Sequence, residues 1–292
     1  MTPKTIIISP QGGLGNRLRA MNSALIAAEE LGYRIKHAWH SSEPNHNVDF
    51  INRLKHFSFS HFFEEDFITP AGKSQEINSV ISQCAPGDYW YKTHSSAQKN
   101  YSVSCLQRSR NTMHELRTSK HNNILIETTL RFWPRNYPGI HELVLNQAEA
   151  TRVSKAYQRF TPKRNYLDIT NKIEPVEIGL CIRTGDLLDY YQNARQDIRK
   201  IAEWIKNKFS TKSIAIFSND INTQDSLYKE CELQPPKGYL SEEVFMLPPH
   251  QRALIQFLYL ANNCNNIYGT PGSSFGQEAA LFNLKPYHKI LS

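Results

Sequence analysis

Gln11-Gly-Gly-Leu-Gly-Asn-Arg-Leu-Arg19 follows closely on the run Thr5-Ile-Ile-Ile-Ser9. That leading run is uncharged and dominated by β-branched residues, which predicts a strand buried on both faces of a parallel sheet. Beyond the glycines, a helix is expected from about Asn16 to Leu31. Its apolar positions Leu14, Leu18, Met21, Leu25 and Ala28 step by four and three, so they share one face. Gly32 supplies a left-handed stop, and an extended segment resumes at Tyr33. Strand, glycine turn and helix in this order open an α/β fold.

The turn itself carries chemistry. Glycines between strand and helix let the backbone approach a ligand, and the helix start offers free N–H groups to an anion. The pattern Gly13-Leu14-Gly15-Asn16-Arg17-Leu18 is not the dinucleotide fingerprint, because Leu18 stands where the third glycine belongs. Lys36 and His37 lie where a ribose-binding acid is expected, about 20 residues on, so an NAD enzyme is disfavoured. A plain strand–helix turn is the alternative. Arg17 and Arg19 weigh against it: in the first turn of a helix they oppose its dipole, which calls for an anion nearby.

The same alternation recurs along the chain. Residues 40–122 are poorly periodic and read as loops and short helices. Asn123-Ile-Leu-Ile-Glu-Thr-Thr129 is a second buried strand, and Asn146 to Arg159 a helix. Glu177-Ile-Gly-Leu-Cys-Ile-Arg183 and Ser213-Ile-Ala-Ile-Phe217 are strands, separated by a helix striped with Ile198, Ile201, Ile205 and Phe209. A helix over Gln251–Asn263 leads to the strand Asn266-Ile-Tyr268 and a last helix beginning near Phe275. Alternating strands and helices predict parallel sheets with crossover connections. Two such halves facing a cleft fit best, residues 1–165 and 166–292.

Ligands of open parallel sheets sit at the carboxyl ends of strands, and four loops fall there. The glycine turn is the first. In the second, Arg183-Thr-Gly-Asp186, the arginine can fork onto a phosphate, while Asp186 can equally shape the turn or cap a helix. The third, Phe217-Ser218-Asn-Asp220, offers hydrogen bonds to a ribose or base, or a helix cap. The fourth, Gly269-Thr-Pro-Gly272-Ser273-Ser274-Phe275, makes a second anion cradle or a simple capping turn. Two cradles and a strand-end arginine predict a bound diphosphate. There is no Asp-x-Asp pair to hold a divalent metal beside it, so no metal site is expected, and arginine with helix dipoles would neutralise the leaving group.

Composition narrows the classes. The chain has 292 residues, 40% apolar and 21% charged, as a folded globular protein has. Its apolar runs are too short for a spanning helix or a signal peptide. The five cysteines form neither a disulfide framework nor a zinc spacing, which suits a cytoplasmic setting. A net charge of +7 favours anionic partners, and association with the inner face of a membrane is a further expectation. No basic, aromatic-lined patch or nucleic-acid motif is visible, so nucleic acid is not an expected partner. No nucleophile elbow appears, and the histidines have no telling spacing.

In order and separation, the four segments resemble the GDP-fucose-dependent fucosyltransferases, above all the nodulation-type α-1,6-fucosyltransferases and, in parts, bacterial α-1,2-fucosyltransferases. Gly12–Arg19 is similar to the family's opening Gly-Gly-Leu-Gly-(Asn/Asp)-Arg-Leu, and Cys181-Ile-Arg-Thr-Gly-Asp186 to its His-x-Arg-x-Gly-(Asp/Asn). Phe217–Asp220 looks like its (Ser/Thr)-Asp-Asp tip, and Phe257 through Phe275 like its closing helix and Ser-Ser-Phe turn. Residues 40–120 carry none of it. Two positions depart: the family's histidine is Cys181, and an acid of the penultimate helix is Gln256.

The resemblance implies an α/β GT-B glycosyltransferase of two Rossmann-like domains, an acceptor-side N-terminal one and a nucleotide-sugar-binding C-terminal one. It implies inverting, metal-independent transfer of fucose from GDP-fucose to a hydroxyl of an oligosaccharide or polysaccharide, as in polysaccharide biosynthesis, with no further cofactor. By likeness Arg183 grips the diphosphate, Ser273 and Ser274 touch phosphate, and Asp220 with Ser218 turns toward ribose or base. Gly13 to Arg17 lie near the sugar or diphosphate, and Cys181 and Gln256 stand where the family reads guanine. Asp186 and Glu127 are candidate general bases. A different nucleotide sugar, or a non-catalytic binding protein on the same scaffold, is the alternative.

Overall fold

The computed structural model describes residues 3–10, 13–39, 59–64, 68–70, 112–120, 122–128, 131–135, 145–183, 198–218, 220–239, 241–270 and 273–290. The chain divides into two compact units, Met1–Gly139 with Leu143–Lys163, and Ile140–Glu142 with Arg164–Ser292.

The first unit is built on strand β1 (Thr5–Pro10), helix α1 (Leu14–Leu31), β2 (Arg34–His37), α2 (Phe59–Phe62), β3 (Thr69–Pro70), α3 (Thr112–Thr118), β4 (Asn123–Thr128) and α4 (Gln147–Tyr157). Its sheet is parallel with order β3-β2-β1-β4. Ile6, Ile7 and Ile8 of the central strand are all buried, as a strand covered on both faces requires. Each such side chain contributes roughly 1.5–3 kcal/mol of burial free energy. Trp39, Phe59, Phe62, Phe63, Tyr157 and Phe160 close the core in edge-on and tilted ring contacts.

Helix α1 departs from the expectation in two ways. It begins at Leu14, with Gly13 as its N-cap, so Arg17 opens the second turn and Arg19 lies deeper still. The dipole argument therefore loses force for both arginines, since that effect fades within the first turn. The helix is also buried on every side as far as Ala28, Asn22 and Ser23 included, rather than on one apolar stripe. Polar anchors make this possible. Asn22 donates to the Val153 carbonyl and accepts from Arg131, whose guanidinium also reaches the Tyr157 hydroxyl. At the far end Glu30 accepts from Trp133 and pairs with Arg117 and Arg152.

The second unit comprises α5 (Arg164–Asn171), β5 (Val176–Ile182), α6 (Ile198–Phe209), β6 (Ile214–Ser218), α7 (Ile221–Glu230), α8 (Glu242–Phe245), α9 (Pro249–Asn263), β7 (Cys264–Gly269), α10 (Ser274–Phe282) and β8 (Tyr287–Lys289). Its sheet is again parallel, in the order β6-β5-β7-β8. Ile178, Leu180 and Ile182 pack with Ile201 and Ile205 of α6 and with Ile214, Ile216 and Leu227. Strand β8 and helices α5, α7 and α8 are additions to the elements expected from sequence; all are short or weakly patterned.

Both sheets reverse direction beside their first strand. From β1 the chain builds β2 and β3 on one side and returns to place β4 on the other. From β5 it builds β6 on one side, then crosses back to lay β7 and β8 on the other. Such switch points open a crevice at the carboxyl ends of the strands, between β1 and β4 in one unit and between β5 and β7 in the other.

Candidate functional site

The glycine turn leaves β1 at the first unit's switch point. Gly13 caps α1 without a side chain, and a Cβ built there meets nothing within 4 Å. Its φ of −71° is one any residue adopts. Neither conformation nor packing among the described residues requires a glycine here. Leu14, Gly15 and Asn16 form the first turn, which holds no acid. Arg17 is buried, with its guanidinium 5.4 Å from the Trp39 ring centroid in a cation–π contact. Glu127 lies on β4, paired in register with Ser9 of β1. Its side chain lies outside the described residues.

The second unit gathers more of the expected residues. Ile182, the last residue of β5, pairs with Ser218 of β6, so Arg183 emerges at the same sheet edge. Its backbone N–H donates to the Thr270 hydroxyl at 3.1 Å, across the switch point. Ser273 and Ser274 then start α10, both buried. Ser273 occupies the N-cap yet makes no capping bond with its side chain, and the first turn contains no acid. Phe275 packs edge-on against Phe257 of α9. Asp186 and Gly272 lie outside the described residues.

Helix starts differ in a telling way. Asn146, Asp220 and Ser241 each cap their helix through a side chain. The helices that leave β1 and β7 have no side-chain cap, and neither does α9, which starts at Pro249 behind Pro248. The starts of α1 and α10 thus have the leading N–H groups and positive dipole end that suit an anion.

Asp220 takes the capping role that sequence left open. Its carboxylate accepts from the backbone of Asn222 at 3.2 Å and Thr223 at 3.1 Å, and from the Thr223 hydroxyl at 2.7 Å. The Thr223 hydroxyl bond is the largest influence on this carboxyl; with the two backbone N–H groups it outweighs burial and lowers the pKa. Ser218 Oγ accepts from the Asp220 backbone at 3.2 Å.

Cys181 lies beneath α10: a Cβ on Gly276 would stand 2.8 Å from its sulfur. Burial pushes this thiol well above its ordinary pKa, so it is a neutral packing group in this setting. Gln256, on α9, donates from Nε2 to the Tyr239 hydroxyl at 2.8 Å. Tyr239 packs edge-on against Phe217 at the end of β6. Burial pushes its hydroxyl up to about 12, against the pull of hydrogen bonds with Gln256 and Gln224.

Thr270, Tyr239 and Gln224 are residues that sequence reasoning missed. The signal for Thr270 was present, a hydroxyl where β7 meets the cradle. Tyr239 and Gln224 come from segments with no strand-end position to mark them. Among the described residues no group of three or more His, Cys, Asp or Glu gathers to hold a metal. Nor is any described helix long and apolar enough to cross a membrane.

Set against solved structures, this architecture has clear counterparts. An Arabidopsis thaliana FUT1 variant in complex with GDP superposes with a TM-score of 0.57 at 12% identity, covering 98% of this chain and 69% of that one. The fucosyltransferase NodZ from Bradyrhizobium matches with a TM-score of 0.56 at 16% identity, over 97% of this chain and 94% of its own. POFUT1 in complex with GDP matches with a TM-score of 0.56 at 9% identity, over 100% and 99%. The fold is that of the fucosyltransferases. It is the α/β GT-B fold with parallel sheets. No protein-family model and no curated protein sequence matches the chain.

Proposed function

We propose that the protein is a glycosyltransferase that moves fucose from GDP-fucose to a hydroxyl of an oligosaccharide or polysaccharide. The observation that carries this reading is the uncapped start of α10 beside Arg183 at the β5/β7 switch point, in a chain with the fucosyltransferase fold. Arg183 grips the diphosphate, with Ser273, Ser274 and the N–H groups of α10 closing around it. Gln256, steadied by Tyr239, turns its amide toward the base.

The reaction is a direct displacement. The acceptor oxygen bonds to the anomeric carbon as the bond to the diphosphate oxygen breaks, inverting the configuration. The electron pair leaves with GDP, and the acceptor proton passes to a base or to solvent. Arg183 opposes the charge that grows on the leaving group, an effect worth about 3 kcal/mol in comparable sites. Gly13 leaves the start of α1 open to an anionic group of a substrate. In this reading no metal ion takes part and the work is done in the cytoplasm, on a glycan under construction.

The test is release of GDP from GDP-fucose in the presence of a glycan mixture and EDTA. Turnover is expected in the wild type and a loss of about 100-fold or more in Arg183→Ala. Turnover with another nucleotide sugar alone overturns the fucosyl reading, and no turnover with any donor overturns the transferase.

A further inference from the structure

Thr270 interrupts the β5/β7 ladder in an unusual manner. In a parallel pair, a residue of one strand donates its N–H to the carbonyl of one neighbour and accepts at its own carbonyl from the N–H two residues further along. Thr270 meets the first half of this rule: its N–H donates to the Cys181 carbonyl at 3.0 Å. By the second half, the Arg183 N–H should reach the Thr270 carbonyl. It reaches the Thr270 hydroxyl instead, at 3.1 Å. The released carbonyl accepts from the Ser273 N–H at 3.0 Å and so closes the turn that leads into α10. Thr270 is 2% exposed, so water is a poor substitute for any of these bonds.

We infer that Thr270 is a positioning residue that fixes Arg183 and the Ser273-Ser274 cradle in one arrangement. This rests on the reading of that edge as a diphosphate site. Its hydroxyl stands in for a backbone acceptor, which lets one residue end the sheet and begin the anion cradle together. The hydroxyl supplies a separate acceptor while the Thr270 carbonyl accepts from the Ser273 N–H; without it, the Arg183 N–H must shift to share that carbonyl or go unpaired. Serine preserves the bond, whereas valine keeps the shape and removes the acceptor.

The experiment measures binding of GDP and of inorganic pyrophosphate by calorimetry to wild type, Thr270→Val and Thr270→Ser, with thermal melts of each. Pyrophosphate reports on the cradle without any contribution from the base. Thr270→Val is expected to weaken both ligands by about 10-fold, and Thr270→Ser to stay within about 2-fold of wild type. If valine fails to fold, Thr270→Ala takes its place. A valine variant that binds both ligands like the wild type overturns the inference and leaves the site assignment standing. So does a serine variant as weak as valine. A wild type that binds neither GDP nor pyrophosphate overturns the site and the inference together.

Discussion

Gly276 and Cys181 are fitted to one another: a Cβ on the glycine would lie 2.8 Å from the cysteine sulfur and 3.1 Å from its Cβ. The first turn of α10 can therefore rest directly on β5, one residue from Ile182 and two from Arg183. A histidine in place of Cys181, as in the family that this stretch resembles, would need room that this helix occupies. Gly276→Ala is expected to cost about 1–3 kcal/mol through overpacking. Adding Cys181→Ala to it should recover most of that loss. Denaturant melts of the two single variants and the double variant measure the coupling, and strictly additive costs would contradict the fit.

Gly13→Ala separates a ligand role from a structural one. The added methyl meets nothing within 4 Å, and the backbone conformation suits alanine. The poorer N-cap and the stiffer unfolded chain should offset to within about 1 kcal/mol. Stability is thus expected to hold while donor turnover falls by about 10-fold or more. Unchanged turnover would release Gly13 from the site.

Asp220 is expected to act first as a helix cap. Asp220→Ala should lose about 1 kcal/mol of stability, and Asp220→Asn little, because asparagine caps equally well. The folded-state pKa of Asp220 is lowered, so its contribution is present above the unfolded carboxylate pKa and is lost as pH falls through the lower folded value. Asp220→Asn should remove that acid dependence. If the asparagine variant keeps its stability but loses GDP affinity, the carboxylate also serves the ribose or base.

Glu30 gives the first unit a similar dependence. Burial alone would raise this carboxyl, but hydrogen bonds from Trp133 and Arg117 and the charges of Arg152 and Arg117 outweigh it and lower its pKa. Its stabilisation is therefore full above the ordinary carboxylate pKa and vanishes on acidification through the folded value. Glu30→Gln is expected to lower stability at neutral pH and to narrow the gap from wild type as pH falls. A gap that widens in acid would contradict the assignment.

What the sequence made legible follows from how local each signal is. Thr5–Pro10, Val176–Ile182 and the stripe of Ile198, Ile201, Ile205 and Phe209 announce themselves by composition or period, and the structure has them as two strands and a helix. The strand-end loops were legible because glycine, arginine and serine clusters interrupt apolar runs. Only the first-turn placement of Arg17 fails, because the helix starts at Leu14, two residues before Asn16, with Gly13 as its N-cap. Asp220 carries the same sequence signal whether it caps or binds. The Arg131–Asn22–Tyr157 network and the Gln256–Tyr239 bond join residues far apart in sequence, and no spacing rule exposes them.

The central claim is that the edge around Arg183 and Ser273 holds the diphosphate of a guanosine nucleotide. Calorimetric titration of the wild type with GDP, UDP, CDP and dTDP, repeated with Arg183→Ala, tests it most directly. GDP is expected to bind most tightly of the four, without added metal, and Arg183→Ala to weaken it by about 100-fold. Preference for another base, or an Arg183→Ala variant that binds GDP as the wild type does, would contradict the account.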